Sequence, residues 1–264
     1  MEKKDPVIGI EFGYKYSRIA ICTGKHSFRP LNINTGKNFV ISDLEINESG
    51  IFSIPRNINI KNSRIKQILN LIHNKNTNSE VYDILYKNEK RKYIKLKKSG
   101  KEYPIEFIVD KFFQQFFQLL ENNKEFQKSQ TVAITIPVYF NLEERNIVLN
   151  AVRKTKKFEN IILLTEAEAA LIYQKYEKEK IYLIIRINDD FVETTKIKIG
   201  NNKSRIIQKD NYFNLQTNEN KKIGFTNNNQ KDLNFEDYEE ILKEYNIPSI
   251  NEIIVVEEPE KKYY

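Results

Sequence analysis

The chain has 264 residues, of which 40% are hydrophobic and 12% are aromatic. This apolar content can fill the core of one large domain or two small ones. Cys22 is the single cysteine, and His26 and His73 are the two histidines. These counts disfavour a disulfide framework, a histidine-rich metal site and a Ser-His-Asp triad. We therefore expect a globular protein without a metal centre.

Charge and hydropathy bear on partners and location. The formal net charge of +7 suits a partner that carries phosphate, although enrichment in Lys, Asn and Ile gives the same excess. The sequence shows no charged-then-apolar leader and no long uncharged apolar span. It therefore predicts a cytoplasmic protein with no membrane partner.

The first predicted element is a hairpin in "VIGIEFGYKYSRIAI", Val7 to Ile21. Two apolar runs flank a tight turn near Gly13, a pattern typical of two paired strands. Such a turn can hold a phosphate if small residues let backbone N–H groups close on it. Tyr14, Lys15 and Tyr16 occupy the turn here, which leaves open a phosphate loop, an altered one or an ordinary hairpin.

A short helix and a second hairpin are predicted next. The segment "NSRIKQILNLIHN" has helical spacing of its apolar residues, which are Ile65, Ile68, Leu69 and Ile72. The segment "YKNEKRKYIKLKKSGKEYPIEFIV" alternates apolar and charged residues around Ser99-Gly100, which predicts a hairpin with one solvated face. Its basic interval, Lys87 to Lys101, is either an edge-strand device or a nucleic-acid contact patch.

The middle of the chain predicts alternating helices and strands. "IVDKFFQQFFQLLENNKEF" is a helix with an apolar stripe, and "TVAITIP" is a buried strand. Asn141 and Glu144 form a predicted capping box that starts the next helix. A further buried strand enters a helix at Thr165-Glu166, and a hairpin is predicted around Asn188 to Asp190. Residues 201–232 indicate weakly packed strands or a linker, followed by a helix, a strand and a charged tail.

Four segments, taken in order, resemble the nucleotide-binding domain of the Hsp70 chaperones: "IGIEFG", "TVAITIPVYFNLEERNIVLNAVRKT", "ILLTEAEAALIYQKY" and "LIIRINDDFVETTKI". The resemblance covers residues 5 to 200 well, whereas the C-terminal segment is only weakly similar. It implies an α/β, actin-like (ribonuclease H-like) fold with a nearly complete first lobe and a reduced second lobe. Residues 1–200 would hold the first lobe and the start of the second, and residues 201–264 the remnant of the second lobe.

The resemblance also implies an ATP site, whose first phosphate loop matches Glu11, Gly13, Tyr14 and Lys15. The family has Asp, an apolar residue, Gly and two Thr at this place. Glu11 keeps a carboxylate that can hold magnesium through water. Tyr14 and Lys15, however, add bulk where a phosphate needs close backbone approach. Lys15 can instead offer a positive charge to a phosphate.

The second phosphate loop departs further from the family, which has Asp, an apolar residue, three Gly, Thr, an aromatic residue and Asp. Here Asn188, Asp189 and Asp190 replace the glycines. The two added charges each oppose a phosphate by roughly 1 to 4 kcal/mol. Arg186 replaces an acidic residue and cannot serve as a general base. Asp189, Asp190 and Glu193 are otherwise a new metal site or simple turn formers.

Four further positions match functional residues of the family. Lys66 matches the catalytic lysine, and Glu166 matches the glutamate that senses the nucleotide. Pro137 and Arg145 match the switch between the lobes. Three of them also have a structural explanation: Lys66 as a solvated lysine, Glu166 as a first-turn helix carboxylate and Pro137 as a strand terminator.

Taken together, the resemblance and its altered site imply a non-hydrolysing Hsp70-like co-chaperone. The atypical Hsp70 subunit of the ribosome-associated complex is the most similar in style. The expected partner is a J-domain co-chaperone or an active Hsp70, with the ribosome as a further candidate, and no bound cofactor is expected. Two alternatives stay open. One is a weak ATPase chaperone that binds ATP with magnesium through Lys66, Glu11 and Glu166; the other is a basic RNA- or ribosome-binding protein.

Overall fold

The computed structural model describes eleven segments of the chain and divides it into two compact units, residues 1–165 and residues 166–264. Both units are α/β. The described segments are 5–24, 28–33, 36–47, 50–55, 64–73, 79–87, 91–174, 180–188, 191–200, 204–213 and 252–257.

The described part of the first unit contains four helices and twelve strands. The helices are α1 (Ile68–His73), α2 (Ile105–Gln118), α3 (Lys124–Lys128) and α4 (Leu142–Lys154). The strands are β1 (Val7–Glu11), β2 (Tyr16–Cys22), β3 (Phe28–Pro30), β4 (Phe39–Ile41), β5 (Leu44–Ile46), β6 (Phe52–Ser53), β7 (Arg64–Ile65), β8 (Tyr82–Lys87), β9 (Arg91–Leu96), β10 (Glu102–Pro104), β11 (Thr131–Ile136) and β12 (Asn160–Thr165).

The main sheet of the first unit is mixed, with the order β12-β11-β1-β2-β3 and with β4 also paired to β2. The strands β1, β11 and β12 run parallel, whereas β2 is antiparallel to β1. Alternate residues of β1 and β11 are buried, including Ile8, Ile10 and Ile134. One face of the sheet is therefore packed and the other is half exposed, as the alternating pattern predicts.

The aromatic stripe predicted on α2 lies in the core. Phe112, Phe113 and Phe116 are each 0% exposed. The ring of Phe12, from the opening hairpin, packs at centroid distances of 5.4 Å from Phe112 and 5.2 Å from Phe113. Burying side chains of this size stabilises the fold by about 1.5–3 kcal/mol each. The turn end of the opening hairpin is thereby fixed to α2.

The hairpin predicted around Ser99-Gly100 is confirmed. The strands β8, β9 and β10 form an antiparallel sheet in the order β10-β9-β8. Gly100 has a φ of 68°, a left-handed conformation that favours glycine in the turn between β9 and β10. A second small sheet has the order β6-β5-β7.

The helix predicted over "NSRIKQILNLIHN" begins later than expected. Ile65 belongs to β7, where it pairs with Leu44, and α1 starts at Ile68. Gln67 lies between them with a φ of 51°, which interrupts a right-handed helix. The helical spacing was therefore right for Ile68, Leu69 and Ile72 and wrong for Ile65, because pairing with β5 outweighs the local pattern.

The capping box predicted at the start of α4 is confirmed. The Asn141 side chain accepts a hydrogen bond from the Glu144 backbone N–H at 3.0 Å. The Glu144 carboxylate accepts one from the Asn141 N–H at 2.7 Å. Two N–H groups that the helix leaves unbonded are thus satisfied, which fixes the first turn of α4.

The described part of the second unit contains α5 (Glu166–Gln174), β13 (Ile181–Asn188), β14 (Phe191–Ile199), β15 (Ser204–Phe213) and β16 (Glu252–Glu257). Its sheet has the order β15-β14-β13-β16. Leu171 of α5 packs in one buried cluster with Tyr182 and Ile197. The hairpin predicted around Asn188 to Asp190 is confirmed, and so is the final strand. The predicted C-terminal helix lies outside the described residues.

The two units repeat one pattern of strands. In the first unit β1 pairs antiparallel with β2, β2 pairs antiparallel with β3, and β11 lies parallel to β1 on its other side. In the second unit β13, β14 and β15 form the same succession, and β16 lies parallel to β13 on its other side. The chain is therefore built from two α/β units of related topology.

We expect Asn141→Ala to lower the free energy of unfolding by about 1 kcal/mol, because it leaves an N–H at the start of α4 unsatisfied. Asn150→Ala is the matched control, since Asn150 is exposed on the same helix. Alanine there should raise stability by a few tenths of a kcal/mol, following helix propensity. Urea unfolding of both variants measures the difference, and equal effects would contradict the capping role.

Candidate functional site

The candidate site begins at the opening hairpin, where Glu11 ends β1. Arg18 lies directly opposite Glu11 in the ladder. Its Nη1 donates a hydrogen bond to Glu11 Oε2 at 2.8 Å, with the two side chains 27% and 31% exposed. Arg18 was not anticipated from the sequence. Since a charge-assisted hydrogen bond occupies this carboxylate, a magnesium ion would have to compete with a fixed guanidinium.

Gly13 is required by the turn itself. A Cβ built on Gly13 would lie 2.4 Å from the carbonyl oxygen of Tyr16, a distance that real Cβ atoms do not tolerate. The absence of a side chain therefore lets the chain fold tightly back on itself. The geometry of the turn alone explains the glycine at this position, and a bound phosphate is not needed to explain it.

Tyr14 and Lys15, the other two turn positions, are anchored to the protein. Tyr14 is only 4% exposed, so its ring fills space beneath the turn. The Lys15 carbonyl accepts a hydrogen bond from the Ser42 N–H at 2.9 Å. Ser42 also shares a hydroxyl hydrogen bond of 2.9 Å with buried Ser17. Burial of Tyr14 and the hydrogen bond from Ser42 to Lys15 therefore fix the turn.

Ser42 and Asp43 form a junction between the hairpin and the segment that carries Lys66. The Ser42 carbonyl accepts from the Ile68 N–H at 2.8 Å, and Asp43 Oδ1 accepts from the Gln67 N–H at 2.8 Å. Burial raises the pKa of Asp43, against the lowering effects of the Gln67 hydrogen bond and the charges of Arg64 and Lys66. The junction brings Lys66 into the electrostatic surroundings of Asp43.

One further ion pair and the exposed Lys66 lie near this junction. Arg64, which is nearly buried, contacts Glu45 with its Nη2 at 2.9 Å and donates from Nε at 3.0 Å. Lys66 itself is exposed and lies between β7 and α1 rather than on a helix. No group of three or more His, Cys, Asp or Glu in the described segments is arranged to hold a metal ion.

The second hairpin has a very short connection. Asn188 pairs with Phe191 at the end of the ladder, so two residues alone join β13 to β14. Those residues, Asp189 and Asp190, lie outside the described residues. Arg186 is registered opposite Glu193. Because the ladder continues to Asn188 and Phe191, backbone N–H groups near the end of this hairpin form hydrogen bonds between the two strands.

The remaining matched positions lie at element ends. Pro137 is buried directly after β11, and its carbonyl accepts from the Phe140 N–H at 3.2 Å. Arg145 Nε donates to the Phe140 carbonyl at 2.9 Å, which ties α4 to this turn. Glu166 is the first residue of α5, where a carboxylate is favoured by the helix dipole. Glu166, Arg186, Asn188 and Glu193 belong to the second unit, and the other described matched residues belong to the first.

The chain matches no known protein family model and no curated protein. Among the helices of the described segments, none is long and apolar enough to cross a membrane.

A cluster that sequence reasoning missed lies at the start of α4. The His73 ring lies 2.8 Å through Nδ1 from Glu144 Oε1, and its centroid is 4.5 Å from that of Tyr139. Lys92 Nζ donates to the Leu71 carbonyl at 2.5 Å. Lys92, Tyr139 and Glu144 are 19 to 71 positions apart from His73 in sequence, so no local spacing could reveal this cluster.

The titration of this cluster follows from its burial and its contacts. Burial acts to raise the pKa of Glu144, but the hydrogen bonds from His73 and from the Asn141 N–H outweigh it, and the pKa is lowered. Burial lowers the pKa of Lys92 to about 8, opposed by the nearby charge of Glu144. An amine with such a pKa is partly neutral at physiological pH.

We expect Gly13→Ala to lower the free energy of unfolding by about 1–3 kcal/mol, because the new methyl group overlaps the Tyr16 carbonyl. Gly9→Ala is the control in the adjacent strand, since a Cβ there meets its nearest atom, the Ala20 oxygen, at 3.9 Å. It should leave stability unchanged or raise it by up to about 1 kcal/mol. Chemical denaturation distinguishes the two. A tolerated Gly13→Ala would remove the argument that the turn requires glycine.

Lys92 should also give a pH-dependent stability effect. Its folded pKa of about 8 lies below the ordinary value of 10.5. Between these values the unfolded chain binds more protons, so the contribution of Lys92 to stability rises with pH across this window. The free-energy difference between the wild type and Lys92→Met should therefore shift in favour of the wild type from pH 7 to pH 9.5. A pH-independent difference in urea unfolding would contradict the assignment.

Proposed function

We propose that the chain is an Hsp70-like protein with an actin-like fold that no longer hydrolyses ATP and acts as a co-chaperone. The repeated strand pattern supports the fold, because two α/β units of related topology are what the actin-like architecture requires. The membership in this family rests on the quoted sequence segments together with this topology.

The observation that carries the loss of hydrolysis is the ion pair between Glu11 and Arg18. In the family this carboxylate position serves magnesium, and here it accepts a hydrogen bond from a guanidinium at 2.8 Å. Tyr14 further fills the turn with a buried ring. Removing Arg18 would leave the half-buried Glu11 charge without this partner, so the pairing is part of the stable fold.

The second hairpin supports the same conclusion. A phosphate loop needs backbone N–H groups that are free to point at the ligand, and flexible glycine is the residue that supplies them. Pairing of Asn188 with Phe191 closes this ladder to a two-residue connection. The terminal phosphates of ATP would also have to approach the two aspartates of this connection.

A co-chaperone of this kind would act through its surface. It would bind a J-domain protein or an active Hsp70, at the ribosome and in the cytoplasm, and promote folding of new chains without a nucleotide cycle. Such binding needs only a rigid scaffold, which the aromatic core and the capped α4 provide. No cofactor is required by this proposal.

A weakly active ATPase is the second candidate. Lys66 favours it, because the junction at Ser42 and Asp43 connects this exposed lysine to the hairpin. Lys15 in the turn adds a second charge that could meet a phosphate. Both features concern binding of ATP more directly than its hydrolysis.

Steady-state ATP turnover, measured with magnesium and with a J-domain protein added, separates the two candidates. Under the proposal, the wild type shows no turnover above that of Lys66→Ala. Lys124→Ala, which changes an exposed lysine on α3, is the control for loss of a charge. Turnover that Lys66→Ala abolishes and Lys124→Ala retains would establish the ATPase instead.

Affinity purification from native cells tests the partner. Recovery of a J-domain protein together with ribosomes is the expected result. A preparation that contains neither of these, from cells in which the tagged protein is folded and abundant, would contradict the co-chaperone role. Repeating the purification with Lys66→Ala should leave recovery unchanged, because the proposed contacts do not depend on nucleotide turnover.

A further inference from the structure

The outer face of the sheet formed by β8, β9 and β10 carries a pattern that the co-chaperone proposal does not use. The inner face of this sheet packs into the first unit, with Tyr82, Ile94 and Leu96 buried. The alternate residues point the other way and form three cross-strand rows. Those rows are Lys87 with Arg91; Leu85, Tyr93 and Pro104; and Asp83, Lys95 and Glu102.

The charge on this face and its turn is strongly positive. In the described residues of this face and of the turn between β9 and β10, six cationic residues stand against two carboxylates, Asp83 and Glu102, which leaves an excess of four positive charges. Lys87 contacts Glu102, and Lys97 lies 3.4 Å from Asp83. Among the described residues, Arg91, Lys95 and Lys101 have no carboxylate within ion-pair distance on this face. The six are Lys87, Arg91, Lys95, Lys97, Lys98 and Lys101.

The middle row supplies apolar surface between these charges. Tyr93 lies on the central strand, directly opposite Leu85 on one side and Pro104 on the other. All three are half-buried, so part of each remains open to solvent. Lys87 Nζ lies 5.0 Å from the centre of the Tyr93 ring. Positive charge therefore lies over the ring, from Lys87 on β8, and on both sides of it along β9, from Arg91 and Lys95.

We propose that this outer face binds single-stranded RNA, with bases packing on the Tyr93 row and phosphates meeting the basic side chains beside it. The positive charge favours a polyanion as the ligand. The Tyr93 ring in the central row favours a polyanion that also carries flat bases. A three-stranded sheet is wider than the α-helix or two-stranded ribbon that the major groove of a duplex admits. An anionic membrane or an acidic protein would use the charges but not the ring. This proposal does not rest on the co-chaperone function.

The test measures binding of a fluorescein-labelled uridine 20-mer to the full chain by anisotropy at several salt concentrations. The triple variant R91Q/K95Q/K101Q should bind at least about tenfold more weakly near 0.1 M salt. The slope of log K against log salt should fall by about 2, since each lost phosphate contact on a single strand removes about 0.7. The control K124Q/K128Q/R153Q removes the same charge from exposed sites on α3 and α4, and should bind like the wild type.

The aromatic contribution has its own variants. Tyr93→Leu keeps apolar bulk in the sheet but removes the ring, and should weaken binding at least about fivefold without changing the salt slope. Tyr93→Phe keeps the ring and should bind like the wild type. Thermal unfolding confirms that each variant is folded. Loss in Tyr93→Phe equal to that in Tyr93→Leu would overturn the role of the ring.

Three results would overturn the proposal as a whole. The first is no binding of the uridine 20-mer at low salt, and the second is equal weakening by both triple variants. The third is stronger binding to phosphatidylserine vesicles, or to polyglutamate, than to RNA. Because no ATP and no J-domain protein is present, these outcomes are independent of the ATP turnover and purification experiments.

Discussion

The parallel pairing of β1 with β11 is the constraint on which the first unit depends. It places Val7 beside Thr131 and Glu11 beside Thr135, so two distant segments must meet before the sheet can form. Closing so long a loop costs conformational entropy, which must be offset by burial of the central strands. Phe112 and Phe113 of α2 pack against Phe12, the residue that follows β1. The position of the opening hairpin is thus a result of long-range packing rather than of the turn alone.

Local sequence signals predicted well those elements that depend on interactions between residues close together in the chain. The capping box of Asn141 and Glu144 and the aromatic stripe of α2 depend on neighbours within a few positions. Ile65 could not be placed in this way, because its pairing with Leu44 competes with helical spacing that is equally visible in the sequence. The actin-like architecture itself came from resemblance and stays a proposal, whereas a mixed α/β fold is what the structure establishes.

The candidate site was harder to predict than the fold around it. The sequence drew attention to Tyr14 and Lys15, but gave no sign that Arg18 would pair with Glu11 or that Asp43 would hold the Lys66 segment. These contacts join positions that are close only after folding. Side chains of the same type have many potential partners in a chain with 43 basic and 36 acidic residues. Spacing alone therefore cannot identify which pairs form.

The Glu11–Arg18 pair also limits the routes by which this hairpin could change. Replacing Arg18 alone leaves a half-buried carboxylate without its guanidinium, and replacing Glu11 alone leaves a half-buried guanidinium without its carboxylate. Each single substitution therefore lowers the stability of the fold before a ligand can compensate. Shrinking Tyr14 meanwhile opens a cavity under the turn. A hairpin with an anion site would need these substitutions together, so we expect their effects on stability to be non-additive. Selection for stability alone is then enough to keep the present arrangement in place over long periods.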